Sequence, residues 1–345
     1  MRTVLLISTE DRPADRCEAA SGRRPTPDYH ALADALGATI LDRAAATRAL
    51  PPALRRGLRR GAAWLPQVAA AFLRRHAVDR FVCDSERLGL PLCALLAGHG
   101  SPPVYFIAHR VTARWKRALL RWPGVRRQIG GVFCYAGVQA ECLSRLGLPA
   151  ERIHRIAFHA DAHFFRPDGT EPERLVRSVG RERRDYATLA AAAARLDCPV
   201  RILARSPWSR QRGDAAGPAA GGNVSFLPGV SYPELRDLYR RARVVAVPVA
   251  AVDFQAGITA LLEAMAMARP VVATANPGLK EAFADGEAGL WVPPGDAVAL
   301  ARALNYLLDH PVEAAAMGRR GRELVEQGMT LAHWVARITR VVQSP

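Results

Sequence analysis

Short apolar runs rich in β-forming residues recur through the first half of the chain, at residues 3–8, 81–83, 104–108 and 132–135, with apolar segments of helix length between several of them. Buried strands alternating with helices predict parallel α/β architecture rather than a sandwich. The pattern restarts in the second half, with strands predicted at 175–179, 200–203, 224–227, 244–247 and 271–274. Between the halves, Phe164-Phe165-Arg166-Pro167-Asp168-Gly169-Thr170 is a turn-rich break that marks a linker. Ser231-Tyr232-Pro233-Glu234 has the spacing of a capping box: Ser231 caps a helix start, Pro233 is tolerated in its first turn and Glu234 reaches back. The stretch 205–222, with Pro207, Gly213, Gly217, Pro218, Gly221 and Gly222, predicts a mobile loop.

Composition narrows the class. The 345 residues fit two domains, and 50% hydrophobic with 23% charged residues is globular composition. No apolar run reaches the ~18 residues that span a bilayer, and the first eight residues turn polar without a cleavage signal, so a cytoplasmic protein is expected. The six cysteines, Cys17, Cys83, Cys93, Cys134, Cys142 and Cys198, show no Cys-x-x-Cys and are expected as buried thiols. The net charge is +16, and since Lys116 and Lys280 are the two lysines, nearly all the excess is arginine. A basic surface attracts anions, whether phosphates, nucleic acid or acidic lipid headgroups. No recognised nucleic-acid-binding module accompanies it, so nucleic acid is not an expected partner.

One constellation carries chemistry. The strand at 244–247 runs through Pro248 to Gly257 directly into a helical stretch at 258–267. A helix starting at a strand end offers unpaired N–H groups and a positive dipole end, and Gly257 lets a ligand approach the backbone, so an anion site for a diphosphate is predicted there. Glu263 lies about 9 Å further along the axis, with its side chain leaning back toward the helix start. A carboxylate there suits the vicinal hydroxyls of a ribose. On spacing alone an ordinary surface glutamate fits equally well.

The wider string Gln255-Ala256-Gly257-Ile258-Thr259-Ala260-Leu261-Leu262-Glu263, continuing to Pro270, resembles the donor-site signature of glycosyltransferase family 4 (group 1), retaining enzymes of the GT-B fold. The resemblance extends upstream to Ser178-Val179-Gly180-Arg181 and Arg184-Asp185-Tyr186, and downstream to Gly289 through Asp296. It implies two Rossmann-like lobes with a cleft between them: an acceptor-side lobe at 1–167, a donor lobe at 168–328, and a closing helix at 329–345 packing back toward the first lobe. It also implies transfer of a sugar from a nucleotide diphosphate sugar to a hydroxyl acceptor, glycan, lipid-linked or small molecule. Arg181 and Arg184 would neutralise the leaving diphosphate, roles that also follow from their charge. Gly180, Ala256, Gly257, Ile258 and Thr259 would bind the donor, and Glu263 would hold its ribose. His109, in Ile107-Ala108-His109-Arg110, would face the sugar.

Where the family has a glutamate eight residues before Glu263, this chain has Gln255. An amide holds no charge and takes no proton, so its role must be a hydrogen bond to a sugar hydroxyl. Asp-x-Asp, His-Glu-x-x-His, Gly-x-Ser-x-Gly and Walker motifs are missing. Arginines and a helix dipole are left to stabilise the leaving group, so metal independence and no cofactor are expected, with same-face attack in which the leaving diphosphate takes the acceptor proton. Two rival readings are a nucleotide-sugar epimerase on the same fold and a non-enzymatic, degenerate GT-B-like binding protein.

Arginine pairs at 55–56, 59–60 and 74–75 bracket Trp64, Leu65, Phe72 and Leu73, and Arg114-Trp115-Lys116-Arg117 and Arg121-Trp122 repeat the mixture. Cations beside tryptophan suit an anionic lipid surface at the inner membrane face, and suit equally a solvated helix whose tryptophans are core.

Overall fold

The apolar runs of the first half become the strands β1 (Thr3–Leu6), β3 (Arg80–Cys83), β4 (Val104–Ala108) and β5 (Ile129–Cys134) of a computed structural model. The structure describes all residues except 59–61, 63, 101, 206–221 and 345. Most of the loop predicted at 205–222 therefore lies outside the described residues, as do Arg59 and Arg60. Two short strands complete the first sheet, β2 (Thr39–Leu41) and β6 (Ile153–Arg155). Its order is β2-β1-β3-β4-β5-β6, every neighbouring pair parallel.

The second sheet comprises β7 (Glu173–Val179), β8 (Val200–Leu203), β9 (Val224–Phe226), β10 (Ala242–Val247), β11 (Val271–Thr274) and β12 (Gly289–Val292). Its order, β12-β11-β10-β7-β8-β9, is again wholly parallel. Both faces of this sheet are covered. Val245 and Val247 join one buried cluster with Leu235, Tyr239 and Leu261, while the alternate residues Val244 and Ala246 join another with Leu189, Leu300 and Leu304. That two-sided burial explains why these strands read as unbroken apolar runs. Each sheet with its helices is a Rossmann-like lobe.

The chain divides into two compact units. The first comprises Met1–Cys17, Thr26–Ile156 and Val335–Pro345, and the second Glu18–Pro25 and Ala157–Trp334. Phe164 and Phe165, within the turn-rich break, are buried in the second unit's core. The last helix runs over Leu331–Gln343. Of the thiols, Cys83, Cys93, Cys134 and Cys198 are buried, whereas Cys17 is exposed and Cys142 half-buried; it is Cys17, on a short helix with a single buried residue, that departs from the sequence expectation.

Candidate functional site

In the second sheet the strand order reverses between β7 and β10, so the loops leaving their carboxyl ends diverge to opposite sides. Doubly wound sheets hold ligands at such a switch point. Here the two loops are laced together. Asp185 N donates to Pro248 O at 3.0 Å, Ala250 N donates to Arg183 O at 2.9 Å, and Arg184 bridges Val249 in antiparallel fashion. Asp185 then caps the helix Tyr186–Ala193, accepting from Thr188 N at 3.0 Å.

Arg184 is the centre of this arrangement. Its Nε and Nη2 donate to Val179 O, the last carbonyl of β7, at 2.9 and 2.8 Å. The guanidinium lies against two glycines: a Cβ on Gly180 would stand 2.4 Å from Nη2, and one on Gly257 would stand 3.0 Å from Nη1. Gly257 is left-handed, with φ 94° and ψ −10°, and opens the helix Ile258–Ala266 without any side-chain cap. Ile258 N donates back to Gln255 O at 3.3 Å, and no side chain caps the amides that follow it in the first turn. Gly180, Arg184 and Gly257, predicted from segments more than seventy residues apart, are brought together. Burial lowers the Arg184 pKa, with nearby acidic and phenolic groups pulling the other way. A desolvated cation beside a positive helix end is a place where an anion gains most.

Ala256 and Ile258 are buried at the helix start, and Thr259 is half-buried on its first turn. Glu263 is 4% exposed, and its Oε2 accepts a hydrogen bond from Tyr239 Oη at 2.8 Å. Burial pushes its carboxyl up to about 8, while the Tyr239 hydroxyl and the charge of Arg184 pull it down. The ordinary surface glutamate that spacing left open is thus excluded. Gln255 donates from Nε2 to Gly278 O at 2.9 Å, which ties the helix entry to the loop after β11. Arg181 follows Gly180 on the same loop, half-buried, and no ion pair of its side chain occurs among the described residues. Two tyrosines escaped the sequence reading. Tyr186 Oη donates to Gly180 O and is pushed up to about 12 by burial, and Tyr239 is the partner of Glu263. Tyr186 follows a visible cap residue, but nothing in the local pattern marks Tyr239 as more than a core aromatic.

His109 belongs to the first unit, where it follows β4 with an exposed ring. Its N–H donates to Glu86 Oε2 at 3.0 Å, and its Nε2 lies 3.0 Å from Asp84 O, an acceptor that assigns the ring proton to Nε2. Glu86 also takes Arg110 N at 3.2 Å and the Lys116 ammonium. Among the described residues no group of three or more His, Cys, Asp or Glu is arranged to hold a metal ion, and no helix is long and apolar enough to cross a membrane.

Residues 181–310 match the sequence family described as glycosyl transferases, group 1. That match lies wholly within the second unit. Among curated relatives, a D-inositol 3-phosphate glycosyltransferase of Kineococcus radiotolerans is 45% identical over 105 residues, covering 28% of this chain and 23% of the relative. A second, from Catenulispora acidiphila, is 29% identical over 81% of this chain and 70% of its own length. The first match therefore spans about a quarter of that relative. Among solved structures, sucrose-phosphate synthase of Thermosynechococcus elongatus superposes with TM-score 0.74 at 21% identity, over 99% of this chain and 98% of the other. Anabaena HepE, in complex with UDP and glucose, superposes with TM-score 0.69 at 16% identity, over 99% of each chain. The two Rossmann-like lobes are those of the GT-B fold.

Proposed function

We propose that the protein is a retaining glycosyltransferase that moves a sugar from a nucleotide diphosphate sugar to a hydroxyl acceptor. The observation that carries this reading is the Arg184 guanidinium held between Gly180 and Gly257 at an uncapped helix start. In the proposed reaction the bond from the anomeric carbon to the donor's terminal phosphate oxygen breaks. Negative charge grows on the diphosphate, where Arg184, Arg181 and the Thr259 amide at the helix start meet it without a metal. The acceptor hydroxyl bonds to the anomeric carbon from the face the diphosphate leaves, and its proton passes to the diphosphate. Gln255 and His109 hold hydroxyls of the sugar, and Glu263 holds the ribose once the nucleotide draws it from Tyr239.

The first unit favours an acceptor presented at an anionic lipid surface of the inner membrane face. Residues 87–140 carry eight arginines and lysines and no aspartate or glutamate. On the helix Arg114–Arg121 and at its end, Trp115 and Trp122 are 46% and 48% exposed beside exposed Arg114, Arg117 and Arg121. Indole rings and cations side by side match the headgroup layer. Lys116, read from the sequence as part of this band, instead turns inward to Glu86.

Calorimetric titration with UDP and other nucleoside diphosphates, followed by product analysis with their sugar conjugates, tests the reading. Binding by the wild type with at least tenfold loss in Arg184→Ala, and glycoside formation with retained anomeric configuration, are expected. Binding with no transfer would favour the degenerate binding protein, a donor isomerised without an acceptor would favour the epimerase, and no binding of any diphosphate would overturn all three.

A further inference from the structure

The first sheet has its own switch point. Strands β2 and β3 lie on opposite sides of β1, and the loops after β1 and β3 meet at their carboxyl ends, where Asp84 N donates to Leu6 O at 2.9 Å. Asp84 is the first residue beyond β3. Its Oδ2 is saturated from the β1 loop, by Ser8 N and by Ser8 Oγ at 2.7 Å. Its Oδ1 is buried and has no hydrogen-bond partner among the described residues. His109 leans on the same residue through Asp84 O, and its ring is exposed. A carboxylate oxygen locked in place by two donors on its twin, yet left without one of its own, is a preorganised acceptor for a donor from outside the chain.

We propose that Asp84 Oδ1 anchors a hydroxyl of the glycosyl acceptor. This assignment rests on the glycosyltransferase reading, and it gives that reading an acceptor contact lying wholly within the first unit. Burial pushes the Asp84 carboxyl up to about 6, with the Ser8 donors and His109 pulling it down and Asp28 pushing it further up. His109 and Asp28 are the titratable neighbours that act on it. The hydroxyl is held by the ionised form, so acceptor use weakens as pH falls through this value.

The test measures transfer from a UDP-sugar to D-inositol 3-phosphate, glycerol and phosphatidylinositol vesicles, beside UDP binding. Asp84→Asn is expected to raise the acceptor KM at least tenfold while UDP affinity stays within twofold. The acid limb of kcat/KM for the acceptor, centred near the Asp84 value in the wild type, is expected to vanish in Asp84→Asn and to persist in His109→Gln. Ser8→Ala, which removes one donor to Oδ2, is the milder variant should Asp84→Asn fold poorly, and is expected to raise the same KM by a smaller factor. An unchanged acceptor KM and acid limb in either variant would overturn the assignment. Loss of UDP binding in the wild type would instead fault the donor reading.

Discussion

Arg184 holds the site together through its own chain as much as through its charge, because its fork grips Val179 O while its face fills the space two glycines leave. Arg184→Lys keeps the charge but loses the fork, so we expect weaker nucleoside diphosphate binding by about tenfold, nearer to Arg184→Ala than to wild type, read by calorimetry. Glu263 makes a sharper statement about pH. Its folded carboxyl titrates near 8, above the usual glutamate range, so the folded state holds the proton more tightly than the unfolded chain. Stability is then full below the ordinary glutamate range and is lost as pH rises toward that value. Glu263→Gln imitates the protonated form, and its melting temperature should decline less than that of the wild type between about pH 5.5 and about pH 8.5 in a thermal scan. The same variant should bind nucleoside diphosphate more weakly, separating the stability role from the proposed ribose role. Arg184 and Glu263 were legible because residue type, spacing and a dense family string coincide there. Asp84 and Tyr239 were not, since a buried carboxylate and a core tyrosine declare themselves only by what folds against them.

At the scale of elements, the missed strands share one property. Strands β2, β6 and β12 all lie at sheet edges, and only one residue of β2 and none of β6 is buried. A strand covered on one side needs no continuous apolar run, so composition gives it no signature. The central strands and the Ser231 capping box were readable for the opposite reason: each follows a local rule that the tertiary structure reinforces, and Ser231 N donates to Glu234 Oε2 at 2.7 Å as the spacing required. The helix start at Gly257 leaves little room for change. A methyl there would meet Val247 Cγ1 at 2.9 Å on a backbone with φ 94°, so Gly257→Ala should lower both melting temperature and donor affinity, measured on the same preparation. The helix Arg114–Arg121 depends on a different contact, the Lys116–Glu86 pair, whose side chains are 7% and 3% exposed. Lys116→Met would strand Glu86 in the interior and should cost about 3–5 kcal/mol in a denaturant titration.

For the molecule as a whole, the excess positive charge is unevenly spread, and the run from 87 to 140 without an acidic residue concentrates it in the first unit. Sedimentation with vesicles should show binding to phosphatidylglycerol and none to phosphatidylcholine, decreasing steeply with salt. Trp115→Ala with Trp122→Ala should reduce that binding severalfold while leaving UDP affinity intact. Charge alone was readable from composition. Which cations face outward was not, as Lys116 shows.

Because the candidate site at the second switch point is assembled from loops that follow β7 and β10, it has a schedule. A nascent chain halted before residue 266 clears the ribosome carries Gly180 and Arg184 but no helix end for a phosphate to meet. The newly made protein should therefore be blind to nucleotide until late in synthesis, and chains arrested on either side of that point should differ abruptly in their retention on immobilised UDP.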